Sequence, residues 1–126
     1  MEYQLIAWVF SVILLLKGVV IGYISYQAGN IELKRNSLLG VRTKLSQQSL
    51  KNWNVANFAG RYLMAVQAGL FLLGAAVLGA YALMYQVTLL GLLVCTVPLI
   101  VSVLFFYLAN RFVGDKAIKE YNDIAS

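Results

Sequence analysis

Lys17 stands inside the apolar run SVILLLKGVVIG, about nine residues from the Tyr26 end of that run, or roughly 14 Å at 1.5 Å per residue. A cation so placed is too deep for easy snorkelling and needs a polar partner or a wet cavity. Gln67 and Ser102 lie at comparable depth in the second and third apolar runs, so an intramembrane polar layer of Lys17, Gln67 and Ser102 is expected. Such a layer binds rather than catalyses. A desolvated lysine serves as base or nucleophile only in suitable company, and no carboxylate pair or Ser/His set accompanies this one. Proton-coupled transport is disfavoured too, because no Asp, Glu or His falls within any of the three runs.

A second group of polar residues lies between the first two runs. Asn36, Gly40, Arg42, Thr43 and Ser46 precede Trp53 and Asn57 in a stretch that also holds Lys44 and Lys51 and no acidic residue. Gly40 permits a backbone turn closed to other residues, and Arg42 can fork to a carbonyl, a carboxylate or a lipid phosphate. Asn36 and Thr43 are suited to local backbone bonds. The set is equally suited to stapling a re-entrant loop and to contacting a partner.

The elements that must position these residues follow from composition. The 126 residues are 61% apolar and 12% charged, with a mean hydropathy of +0.77, far from the roughly 25% charge of soluble domains. The expected fold is an all-α membrane protein: one domain over 1–126 with three transmembrane helices, at about 4–26, 61–85 and 88–110. The segment 27–60 and the tail 111–126 fall on one side, with a short interfacial helix from about Gln47 to Ala59 between helices one and two. Ser46 is the expected N-cap of that helix, and Trp53 is expected at the lipid boundary. The first run reads as a retained helix rather than a signal peptide, since it lacks a basic n-region and a cleavage signal.

Small residues indicate how the helices meet. Ala7, Ser11, Gly18, Gly22, Ser25 and Gly29 share a face of the first span, and Gly18 and Gly22 have the spacing that lets backbones approach. The second span has two small faces, Ala65, Gly69, Ala76 and Ala80 beside Ala68, Ala75, Gly79 and Ala82, which puts it at the centre of the bundle. Only Gln86 and Val87 separate it from the third span, so those two helices form an antiparallel hairpin, the third being interrupted by Pro98. With no His and one Cys, Cys95, a disulfide framework and a Cys/His metal site are excluded within one chain. No cofactor is expected.

Nine of the ten basic residues flank the spans on one side and none lies on the other. The positive-inside rule then puts the N-terminus outside and the C-terminus in the cytoplasm. The same charge is better explained by topology and anionic lipids than by nucleic acid.

The order Asn36, Gly40, Arg42, Thr43, Ser46 and Trp53, followed by an apolar span, resembles the SdpI family of bacterial membrane proteins, named for an immunity protein against a secreted killing toxin. The resemblance covers about 40 residues, from Asn36 through the second span, and Asn57 occupies a position often polar in such proteins. It implies a small protein of the bacterial inner membrane that protects against, or senses, a membrane-active peptide toxin. Larger members have further spans, a departure that weighs against a signalling role in which a transcriptional repressor is held at the membrane. The alternative is a small accessory subunit of a larger membrane complex or transporter. Expected partners are lipids, a peptide toxin or another membrane protein, and further copies of the chain through its small-residue faces.

Overall fold

The computed structural model describes residues 2–30 and 43–125, which form three helices: α1 (Glu2–Asn30), α2 (Leu50–Met84) and α3 (Leu89–Ala125). Each is long and apolar enough to cross a membrane. In hydrocarbon no water can satisfy a free N–H or C=O, so an apolar run that length is stable only as continuous helix. The ends are built from local chemistry. Ser49 caps α2, its hydroxyl accepting from the Asn52 amide at 3.0 Å, and Thr88 starts α3 by accepting from the Gly91 amide at 3.1 Å. Tyr85 closes α2 by donating its amide to the Tyr81 carbonyl.

α2 is the central helix. Both α1 and α3 pack along it, while α1 and α3 barely touch each other. The seam between α1 and α2 has a seven-residue period on both helices. The Gln4 amide donates to the Ala82 carbonyl, Ser11 Oγ to the Ala75 carbonyl at 2.8 Å, and Ser25 Oγ to the Arg61 carbonyl at 2.7 Å. The fourth rung is Gly18, where a Cβ would come within 3.2 Å of the Ala68 carbonyl and 2.8 Å of the Leu72 side chain. Residues 4, 11, 18 and 25 therefore face 82, 75, 68 and 61 in antiparallel register, each bringing a small or polar group to a backbone oxygen. Seven-residue spacing is what keeps one face of a slightly supercoiled helix on its partner. Gly22 of the expected Gly18/Gly22 pair makes only ordinary contact, 3.7 Å from Ala68 Cβ. On the other side of α2, Gly74 receives Leu99 and Gly91 receives the Tyr81 ring, so α3 also approaches closely.

Two expectations are corrected. No separate interfacial helix exists among the described residues: residues 50–60 are the first turns of α2, which runs unbroken through Gly60 and Arg61. Its cap is Ser49 rather than Ser46. Trp53, expected at the lipid boundary, is fully buried among Ile24, Ala28 and Met64. The reason is the same in both cases. The end of α1 covers Trp53 on one face of these first turns, while Leu45 before α2 and Ile118 near the end of α3 cover Ala56 and Val55 on another, so they have a protein environment rather than an interfacial one. The tail continues α3 as helix, since its 37 residues extend about 55 Å and overshoot a hydrocarbon core of about 30 Å.

Candidate binding sites at the basic end and in the lateral groove

At the end of the bundle that carries Lys44, Lys51, Arg61, Arg111, Lys116 and Lys119, three pieces of chain form a head: the turn at Thr43–Gln47, the start of α2 and the end of α3. Thr43 and Ser46 cap each other. The Thr43 amide donates to Ser46 Oγ at 2.8 Å, the Ser46 amide donates to Thr43 Oγ1 at 3.0 Å, and Gln47 closes a single helical turn onto the Thr43 carbonyl. The Thr43 hydroxyl in turn donates to Asp115 Oδ1 at 2.6 Å, tying this turn to α3. Below it Ile118 is fully buried against Ala56, with Leu45 and Val55 beside them. Asn52 Nδ2 donates to the Leu45 carbonyl and Asn57 Nδ2 to the Trp53 carbonyl. Lys51 lies over the Tyr121 ring, 4.7 Å from its centre.

Of the motif residues, Thr43 and Ser46 form one buried pair in the turn and Trp53 and Asn57 another at the start of α2, all at most 4% exposed, with Trp53 packed on the end of α1. Asn36, Gly40 and Arg42 lie outside the described residues. Asp115, Asn52 and Ile118 complete the head and were not anticipated. The signal was present for Ile118: Gly114 and Ile118 continue the buried face of α3 at the i, i+4 spacing, although the charged residues between them disguise it. Two buried amide oxygens, Asn54 Oδ1 and Asn110 Oδ1, lack partners among the described residues. Ala56 sits against Ile118, which separates the levels of Asn54 and Asn110 by about 15 Å along the bundle, so they do not form one site.

The second site is a lateral groove. Because α1 and α3 flank α2 without closing on each other, they leave a cavity of about 210 Å³ floored by Phe71, with Leu14 and Lys17 on one wall and Leu99, Ile100 and Val103 on the other. Its lining is overwhelmingly apolar. Lys17 Nζ lies 5.6 Å from the centre of the Phe71 ring, so the cation lies across the groove on an aromatic face at its own level in the bundle. Such a contact contributes about 0.5–2 kcal/mol, against the about 2.5–3.5 kcal/mol that a lysine costs at the centre of a membrane helix. The ring offsets only part of the cost.

The expected layer of Lys17, Gln67 and Ser102 is not formed: among the described residues no hydrogen bond joins the three. Ser102 Oγ donates at 2.7 Å to the Leu99 carbonyl of its own helix, a routine outlet for a serine in an apolar helix. Gln67 lies one turn from Phe71 toward the basic end and is half-buried. The depth comparison was sound for Ser102, since Leu99 packs on Gly74 and this puts Ser102 level with Phe71. Depth does not fix which way a side chain points around the helix axis, and here that decides against the layer.

With this geometry in view, comparison with known proteins finds the SdpI/YfhL protein family, whose model matches residues 32–104, more than half of the chain. No curated protein and no solved structure matches it. The matched stretch contains the Thr43–Ser46 turn, all of α2 and most of the apolar part of α3. Lys17 and Asp115 lie outside it.

Proposed function

Since the chain belongs to the SdpI/YfhL protein family, we propose that it is a small bacterial inner-membrane protein that acts by binding, not catalysis, and that it confers immunity to, or senses, a membrane-active peptide toxin. The observation that carries this reading is the pairing of that family match with a membrane-depth groove open to the side, a shape through which a peptide already in the bilayer can enter without passing through water. The orientation we propose is N-terminus outside and C-terminus cytoplasmic. It is supported by the antiparallel packing, which collects Lys44, Lys51, Arg61, Arg111, Lys116 and Lys119 at one end of the bundle. The head then faces the cytoplasm, its Thr43–Ser46 turn clasping the start of α2 to the end of α3 while Trp53 seats α2 on α1.

The test is survival. Cells with and without the gene are challenged with a panel of membrane-active peptide toxins, and raised survival against at least one of them is expected. Unchanged survival across the panel, together with co-purification in a fixed complex, refutes immunity and supports the second reading, an accessory subunit. One observation favours that second reading: Ala65, Gly69, Ala76 and Ala80 face outward on α2, and a Cβ added at Gly69 meets nothing within 4 Å.

A further inference from the structure

We propose that the lateral groove is a docking site for a membrane-inserted helix bearing a carboxylate, which pairs with Lys17 while a large apolar side chain one turn away fills the cavity. The proposal deepens the toxin-binding reading by naming the chemistry of the bound peptide, and it rests on that reading only for who supplies the helix.

Three observations converge on this occupant. The first is charge. Lys17 has an aromatic ring beneath it and no anion: among the described residues it has no ion pair or hydrogen bond. The five acidic residues of the chain, Glu2, Glu32, Asp115, Glu120 and Asp123, all lie outside the apolar spans, so a second copy of the chain does not supply the counter-charge at this depth either. The second is depth. Lys17 is nine residues from Tyr26, about 13.5 Å along the helix, and its ammonium lies over Phe71 rather than reaching toward the headgroups. A phospholipid can lay an acyl chain in the groove, but its phosphate stays at the surface. A carboxylate reaches Lys17 when an apolar helix carries it there.

The third is shape. A groove between two helices, floored by a third, is the form that receives an apolar helix face. At about 210 Å³ the cavity exceeds the about 150 Å³ that accepts a benzene ring, so one aromatic or branched side chain fits it. On the incoming helix, side chains three or four residues apart share a face. The recognised pattern is therefore Asp or Glu with Phe, Leu or Ile at i±3 or i±4, inside a span of about 20 apolar residues.

The test uses the full chain in neutral phosphatidylcholine vesicles, labelled with a donor fluorophore. The probes are two labelled synthetic spanning peptides of leucine and alanine with one phenylalanine, identical except for a Glu or a Gln four residues from it and about nine residues from one end. The Glu peptide is expected to associate about tenfold more tightly than the Gln peptide, about 1.4 kcal/mol. Lys17→Met should erase that preference and Lys17→Arg should keep it. Ile100→Trp, at a lipid-exposed wall of the groove, should weaken binding of both peptides by steric filling. Circular dichroism and monodisperse elution confirm that each variant is folded.

Equal association of the two peptides with the parent protein overturns the proposal, as does a Glu preference that survives Lys17→Met. Replacing part of the lipid with phosphatidylglycerol separates the sources of the anion: loss of the Glu preference there shows that lipid satisfies Lys17 and overturns the peptide site. The survival assay reports separately. Full protection by Lys17→Met keeps immunity and removes the groove as its site, whereas a Lys17-dependent Glu preference without protection keeps the groove and removes immunity.

Discussion

The seven-residue seam between α1 and α2 makes a quantitative prediction. Ser11→Ala and Ser25→Ala each delete one hydroxyl-to-carbonyl bond, at 2.8 Å and 2.7 Å, without changing backbone or volume greatly. Interhelical hydrogen bonds in membranes average about 0.6 kcal/mol and reach about 1.7 kcal/mol, and the acceptor carbonyls keep their bonds within α2, so each substitution should cost in that range. The two sites are separated by 14 residues, about 21 Å, and share no partner, so the double variant should cost the sum, about 1.2–3.4 kcal/mol. Gly18→Val attacks the same seam sterically. Its Cβ would lie 2.8 Å from Leu72, a side chain that can turn toward lipid, but also 3.2 Å from the Ala68 carbonyl, which moves only if the helices part. Overpacking of this kind costs about 1–3 kcal/mol. Gly69→Val is the control, because the helix-propensity change is identical and a Cβ there meets nothing within 4 Å. The assay is reversible unfolding in mixed micelles of mild detergent and dodecyl sulfate, read by circular dichroism. A Ser11/Ser25 double variant as stable as the parent, or Gly18→Val no worse than Gly69→Val, would refute the register.

At the head, Thr43→Val removes the donor to Asp115 and the acceptor of the Ser46 amide together, for about 2–4 kcal/mol, while Thr43→Ser should be near neutral; a cycle with Asp115→Ala should show at least about 1 kcal/mol of coupling, and additivity would sink the clasp. Trp53→Ala should cost about 3–5 kcal/mol in the same unfolding assay because the side chain is fully buried, whereas a residue at a lipid boundary would give a much smaller loss. Orientation can be checked with single cysteines in a Cys95→Ser background: one at Gln86 should react with an impermeant maleimide in intact cells and one at Gln48 should not, and the reverse pattern would invert the topology. Gln48 is preferred to Ser49 as the probe position because Ser49 caps α2.

The sequence discloses the three spans, the central place of α2 and the hairpin of α2 with α3, because hydrocarbon enforces helices and small residues mark where helices touch. It discloses the existence of the α1 seam, though not its period: Gly18 and Gly22 looked like the pair that mattered, while the rungs at Gln4, Ser11 and Ser25 were visible only as polar or small residues. Recognising them requires the facing residues at 82, 75 and 61, and those pairings are tertiary information. Trp53 was misjudged for a related reason. An aromatic residue among Lys51, Asn52 and Asn54 has the local signature of an interface, yet Ile24 and Ala28 at the end of α1 pack over Trp53. The polar layer failed on rotation about the helix axis, which depth alone does not constrain.

Where the family match stops is informative about what remains to be explained. Residues 32–104 include Thr43, Ser46, Trp53, Asn57, the α2 floor of the groove and the α3 wall, but neither Lys17 nor Asp115. Each site thus draws one residue from outside the matched stretch: α1 brings a cation to the Phe71 floor, and the end of α3 brings a carboxylate to Thr43. The two additions differ in energetic character. Asp115 satisfies a buried hydroxyl, so removing it should cost stability and leave any ligand preference unchanged. Lys17 is only partly offset by Phe71, so Lys17→Met should leave stability unchanged or raise it while abolishing carboxylate recognition. Opposite signs from these two substitutions in the unfolding assay would separate the clasp from the binding site. Loss of stability in Lys17→Met matching that of Asp115→Ala would instead make Lys17 a structural residue.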